Sequence, residues 1–157
     1  MMIIDSQVHI WGPETPDKPY MKEDASKPHL PVPLQHQGLL QVMDANGVQR
    51  TVCVPPTWEG YSNEESLKAA RLHPDRFAVM GRIAVDKPES RTLLATWKNQ
   101  PGMLGIRIAF HQGRSKLWLE DGTADWLWDA AERYQVPIMA FAPDAVPKLG
   151  EVAERHP

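Results

Sequence analysis

Apolar residues in this chain come in short continuous runs that alternate with amphipathic stretches. The strand-like runs are Met2–His9, Arg50–Val54, Phe77–Val85, Gly105–Phe110 and Val136–Ala142. Such near-continuous runs are expected where both faces of a parallel strand are covered. Between them the apolar positions take helical spacing. Leu39, Leu40 and Met43 share one face of a helix over Leu34–Ala45, with His36 on the same side, and Asn46-Gly47 supplies a left-handed stop. Ser62 and Glu65 match a capping box that opens a second helix, which carries Leu67, Ala70 and Leu72 and ends at His73-Pro74. Pro88 starts a third helix with Leu93, Leu94 and Trp97. Thr123–Tyr134 forms a fourth, with Trp126, Leu127 and Ala130 or Ala131 inward, and Ala145–Arg155 a further one. Between the first strand and the first helix, residues 12–33 hold Pro13, Pro16, Pro19, Pro28, Pro31 and Pro33, a density no helix survives. This stretch reads as a long ordered loop or lid, and loops of that length are often functional.

Strict alternation of strand and helix implies right-handed βαβ units and a parallel sheet. Five such strands suit an open doubly wound sheet or a piece of a barrel. No Gly-rich phosphate loop follows the first strand, which leaves the dinucleotide-binding version unsupported. Polar residues instead stand at the C-terminal ends of several strands, where barrel enzymes hold their chemistry. The expected fold is α/β of the (β/α)₈ TIM-barrel type, incomplete, with about five β/α units in one domain over residues 1–157. A closed barrel usually needs ~250 residues, so the chain is expected to be the N-terminal part of one.

Composition narrows the partners. With 42% apolar and 24% charged residues and a net charge of −3, the chain has ordinary soluble character and no basic run to suit nucleic acid or a membrane surface. Its apolar runs fall far short of the ~20 residues of a membrane span. The opening Met1-Met2-Ile3-Ile4-Asp5 lacks the charged and apolar regions of a secretory signal. A lone cysteine, Cys53, sits in an apolar run as a buried thiol without an internal partner, which fits a cytoplasmic location. No Gly-x-Ser-x-Gly elbow is present.

The first strand, Ile3-Ile4-Asp5-Ser6-Gln7-Val8-His9-Ile10-Trp11, resembles the opening of amidohydrolase-superfamily enzymes, which place a His-x-His pair at the end of strand one. Leu39–Val48 followed by Arg50-Thr51-Val52 is similar to the family's first helix and second strand. Asn63, Ala70 and His73-Pro74-Asp75-Arg76-Phe77 resemble its segment before strand three, and Leu104-Gly105-Ile106-Arg107-Ile108 its Gly-x-Arg strand four. The likeness is to the lactonase/decarboxylase-like amidohydrolase 2 branch and spans nearly all 157 residues. The resemblance implies a barrel hydrolase with a zinc or manganese ion, and a His and a terminal Asp on later strands, the Asp acting as base. Gln7 stands where the family has its first His, and a neutral amide is a poor zinc donor.

Alternation along a strand groups Asp5, Gln7 and His9 on one face. His9 is the candidate catalytic residue and metal ligand, with Gln7 beside it and a hydrogen-bonded strand-end histidine as the bland reading. Arg107, flanked in parity by Gly105 and Ala109, suits a substrate carboxylate or an ion pair with a neighbouring strand. His111 could face the same cavity as a further catalytic group or lie in solvent. Arg82 is a weaker candidate of the Arg107 type. Trp11, Trp58 and Tyr61 follow strand ends and either line a substrate pocket or pack the proline-rich loop. Trp97, Trp118, Trp126 and Trp128 are assigned to packing.

The leading expectation is hydrolysis of a lactone, or a related ester or amide, in a small carboxylated molecule. Arg107 would hold the carboxylate, and His9 would polarise the carbonyl or orient water. Decarboxylation of an aromatic or unsaturated acid on the same scaffold is one alternative. A non-catalytic remnant acting as a binding or assembly module is the other. An open five-stranded piece would expose strand edges, so a homo-oligomer or the remaining barrel segment is an expected partner.

Overall fold

A computed structural model describes residues 1–23 and 25–157; residue 24, within the proline-rich loop, lies outside the described residues. Five strands form a single parallel sheet: β1 (Ile4–Val8), β2 (Arg50–Cys53), β3 (Phe77–Gly81), β4 (Met103–Ala109) and β5 (Ile138–Phe141). Their spatial order is their chain order, β1-β2-β3-β4-β5. A doubly wound sheet would reverse direction at a switch point. This one never does, so the strands progress as they do around a barrel, and the molecule is a half-barrel of the (β/α)₈ type.

Right-handed crossovers put every connecting helix on the same face. These are α1 (His36–Ala45), α2 (Glu64–Leu72), α3 (Asp125–Tyr134) and α4 (Val146–Arg155). The core lies between them and the sheet. Ile106, Ile108 and Phe110 join Leu127, Trp128 and Ala131 in it, and the Phe110 and Trp128 rings stand 5.9 Å apart. α1 buries His36, Leu39 and Met43 and stops at Gly47, whose φ of +67° accepts the left-handed turn. Cys53 is fully buried, and burial pushes its thiol up to about 12, so it stays protonated and inert. Among the described residues no helix is long and apolar enough to cross a membrane.

Several local expectations are corrected. The strands are shorter than their apolar runs: β3 ends at Gly81 rather than Val85, and β1 starts at Ile4. The expected third helix is two 3₁₀ segments, Pro88–Thr92 and Leu94–Asn99. The Thr92 hydroxyl donates to the Glu89 carbonyl at 2.9 Å, a side-chain bond that competes with an α-helical ladder. The Ser62–Glu65 capping box does not form. The N-cap of α2 is Asn63, its side chain engaged elsewhere, and Glu65 packs towards Gly12. Leu72 is exposed at the end of α2. In α3 it is Trp128 that is buried, while Trp126 is half-buried and donates to the Val85 carbonyl at 3.1 Å.

The proline-rich loop is tied to the body. The Gly12 N–H donates to Glu59 Oε1 at 2.9 Å, and the Met21 N–H to the Trp58 carbonyl at 2.7 Å. Burial pushes the Glu59 carboxyl up to about 7; Glu65 and Glu64 add to this and the Gly12 N–H opposes it. Folding thus favours protonated Glu59, a stabilisation present at acid pH and lost as pH rises through about 7. Glu59→Gln keeps an acceptor for Gly12 and removes the charge. Its melting temperature is expected to exceed the parent's at pH 8 by more than at pH 5, and an equal difference at both would contradict the assignment.

Gly105 marks the tightest approach between strands. A Cβ there would lie 2.2 Å from the Pro137 carbonyl oxygen and 2.9 Å from Met80 Cε. Its own carbonyl accepts the Trp97 indole N–H at 2.9 Å. Gly105→Ala is expected to cost ~1–3 kcal/mol by overpacking, measured by urea unfolding; an unchanged midpoint would refute this close contact.

Candidate active site

Strands paired in chain order bring all their C-terminal ends to one rim. There a chamber of about 260 Å³ is lined by Gln7, His9, Trp58, Arg82, Arg107 and His111, with Ser26 and Thr57 at its edge. An adjoining chamber of about 220 Å³ shares Arg82, Arg107 and His111 and adds Tyr61, Asp86 and Arg114. A larger cavity, about 730 Å³, lies between α3, β5 and α4. It is mainly apolar, its His156 and Glu132 are paired at 3.0 Å, and it stands away from the strand ends.

Pairing along β1 is irregular. Asp5 pairs with Thr51 and Val8 with Cys53, so three steps on β1 match two on β2. Gln7 and His9 line the chamber and Asp5, lower on the strand, does not. Asp5 Oδ1 accepts the Gln7 backbone N–H at 3.1 Å.

His9 Nδ1 lies 2.7 Å from the Val54 carbonyl oxygen. A carbonyl only accepts, so Nδ1 carries the proton and Nε2 presents a lone pair. Burial lowers the His9 pKa below the ordinary imidazole value, and the charges of His29, Arg107 and Arg82 push the same way against the Val54 bond. His9 is therefore held towards its neutral form, with Nε2 an acceptor rather than a donor.

Among the described residues Arg107 forms no ion pair with a carboxylate. Its guanidinium lies 5.2 Å from the Phe141 ring centroid, its contact to the Met139 carbonyl is long at 3.5 Å, and burial lowers its pKa. His111 is not a solvent-facing loop residue. Its ring sits 4.9 Å from that of Phe141, and its buried Nδ1 has no hydrogen-bond partner among the described residues. Trp58 lines the chamber and Tyr61 the adjoining one. Trp11, only 1% exposed, packs against His29 and Trp58 at 4.9 and 5.2 Å and does not line either chamber. Ser26 and Thr57, joined by a 2.8 Å bond from the Ser26 N–H to Thr57 Oγ1, had no signal in residue spacing; only the folded loop brings them there.

The donor set does not fit a closed metal centre. Among the described residues no three His, Cys, Asp or Glu side chains come together. His9 Nε2 and the Gln7 amide are the nearest to one, and a zinc site needs at least three good protein donors.

The sequence matches the family model described as Amidohydrolase over residues 4–157. A 4-sulfomuconolactone hydrolase of Hydrogenophaga intermedia is 27% identical over 153 residues, covering 94% of this chain and 46% of that protein. The chain thus spans about half the length of the curated relatives it matches. Among solved structures, a "probable 2-pyrone-4,6-dicarboxylic acid hydrolase" of Acinetobacter baumannii, with citric acid bound, superposes with a TM-score of 0.72 at 23% identity, over 96% of this chain and 55% of that one. A 5-carboxyvanillate decarboxylase of Novosphingobium aromaticivorans, with bound manganese, gives 0.53 at 22% identity, over 72% and 38%. At these identities the structural matches speak for the fold.

The His9 geometry predicts a measurable tautomer. Long-range ¹H–¹⁵N correlation spectra are expected to show Nδ1 protonated, with the ring titrating below ~6.5, the ordinary imidazole value. A protonated Nε2 in the neutral form would exclude the Val54 hydrogen bond.

Proposed function

The chain belongs to the amidohydrolase family, and on that premise we propose that it serves the hydrolysis of a lactone, or a related ester or amide, in a small carboxylated molecule. One observation carries the reading: a histidine whose Nδ1 is taken by the Val54 carbonyl, leaving Nε2 as its acceptor, shares a rim chamber with an Arg107 guanidinium that has no ion pair among the described residues. Relatives named 4-sulfomuconolactone hydrolase support it.

Arg107 holds the substrate carboxylate through its planar fork. His9 Nε2 accepts a proton from water as the water oxygen bonds to the lactone carbonyl carbon. The tetrahedral intermediate then collapses by breaking the ring C–O bond, and the leaving oxygen takes the proton back from His9. Gln7, on the same side of the chamber, can donate its amide N–H to the developing oxyanion. His111, through its unpartnered Nδ1, is a second polar group for the substrate. In the family a divalent metal would polarise the carbonyl when bound; His9 and Gln7 are the residues here that face its place. Decarboxylation of an aromatic acid is the second reading, supported by the shared fold with the carboxyvanillate decarboxylase.

Assays with 4-sulfomuconolactone, and for CO₂ release from aromatic acids, separate the two readings. Lactone hydrolysis is expected, with His9→Ala lowering kcat/KM by ~10²–10⁴-fold. Arg107→Gln is expected to raise KM more than it lowers kcat. The parent kcat/KM should rise with pH through a pKa below ~6.5, since the base must be neutral. CO₂ release without lactone opening would move the assignment to the decarboxylase.

A further inference from the structure

Residues 12–21, the first part of the proline-rich loop, fold into a small flap bonded largely to itself. The Thr15 and Lys18 backbones exchange two hydrogen bonds, at 3.2 and 3.0 Å. The Tyr20 hydroxyl donates to the Gly12 carbonyl at 2.6 Å, and the Tyr20 N–H to Glu14 Oε1 at 3.0 Å. Two backbone N–H groups tie the flap to the body, and they land on neighbouring residues. Gly12 donates to the Glu59 carboxyl and Met21 to the Trp58 carbonyl. Lys18 also pairs with Glu64, both side chains in solvent, where such a pair holds little.

The flap borders the rim chambers. Met21 lines the one that holds Tyr61 and Asp86, and Trp58, which receives the Met21 N–H, lines the one that holds His9. Between the flap and α2 lies a cavity of about 380 Å³, lined by Gly12, Tyr20, Glu59, Glu64 and Glu65 among others. A segment resting on a cavity makes few apolar contacts, and such segments open at low cost.

Glu59 is the tie that answers to pH. From α2, Glu64 and Glu65 face it, with Lys68 3.7 Å from Glu65. From the flap come Asp17, Lys18 and Tyr20, with Glu14 bonded to the Tyr20 backbone. Burial, helped by Glu65 and Glu64, pushes the Glu59 carboxyl from 4.5 up to about 7 while the flap is down. With the flap lifted the carboxyl meets water and returns to its ordinary range. Closure therefore takes up a proton. Its contribution is full below about 4.5 and is lost as pH rises through about 7. A protonated carboxyl still offers Gly12 its carbonyl oxygen.

We propose that residues 12–21 are a flap over the rim and that Glu59 is its latch: protonated, it keeps the flap down; ionised, it lets the flap lift and admits solutes to the chambers. Flaps of this kind gate access without taking part in the chemistry. The inference concerns access and stands whatever reaction the rim carries out.

Amide hydrogen exchange at Gly12 and Met21, read by NMR and corrected for the intrinsic rate at each pH, tests it. Both protection factors are expected to fall at least about tenfold from pH 5.5 to pH 7.5. Val79 and Ile106, bonded within the sheet, should stay within about twofold over the same range. In Glu59→Gln the flap amides should lose their pH response. Tyr20→Phe, which cuts the bond to Gly12 and leaves Glu59 intact, should lower flap protection by a similar factor at both pH values, and it guards against a Gln variant that does not fold. A Met21 amide that stays protected while Gly12 responds would mean one lost hydrogen bond under a closed flap, and overturns the proposal. Equal losses at Val79 and Ile106 would mean loosening of the whole fold, and a Tyr20→Phe protein without pH response would take the latch away from Glu59; either result also overturns it.

Discussion

Each strand pairs in parallel with the strand before it, and that one constraint dictates most of the molecule. Parallel neighbours need a crossover, crossovers are right-handed, and so the helices fall on one face while every C-terminal strand end meets the same rim. Gln7, His9, Arg82 and Arg107 come from β1, β3 and β4 or the residues just beyond them, segments far apart in the chain. They meet because the strand order never reverses. The close approach of Gly105 to Pro137 belongs to the same logic, since a side chain there would push β4 and β5 apart.

The charge of the site is invisible in the total. A chain of net charge −3 gathers His9, Arg82, Arg107, His111 and Arg114 around two joined chambers, with Asp86 as the facing carboxylate among the described residues. Burial works differently on each kind of group. It holds His9 in its neutral form, so the imidazole becomes an acceptor. The guanidiniums stay charged despite a lowered pKa, because their ordinary value lies so far above neutrality. One low-dielectric rim thus supplies a bare nitrogen and two fixed cations side by side.

The strand-and-helix rhythm and the family were legible in the residues, because apolar runs and the Gly-Ile-Arg strand depend on local pattern. So were the left-handed stop at Gly47 and the inert Cys53. What escaped depends on contacts between distant segments. The β1 irregularity between Asp5 and Val8 is a matter of pairing with β2. The lost capping box follows from Asn63 and Glu65 having partners outside α2: Asn63 grips Arg82, and Glu65 abuts Gly12. Choosing Trp128 over Trp126 for the core, and bringing Ser26 to the chamber, likewise required the folded neighbours. Arg82 ranked low because nothing beside it in sequence shows that the Asn63 amide and the Gly60 carbonyl hold it.

The partner that sets the His9 tautomer is a main-chain oxygen, Val54 O, not a side chain. A carboxylate or hydroxyl in that position could be lost by one codon change; a peptide carbonyl cannot. Replacement of the Val54 side chain leaves the acceptor where it is, provided the backbone leading into Pro55-Pro56 keeps its path. Those two rigid rings therefore act as the insulation of the imidazole, shielding its proton placement from drift at the neighbouring position.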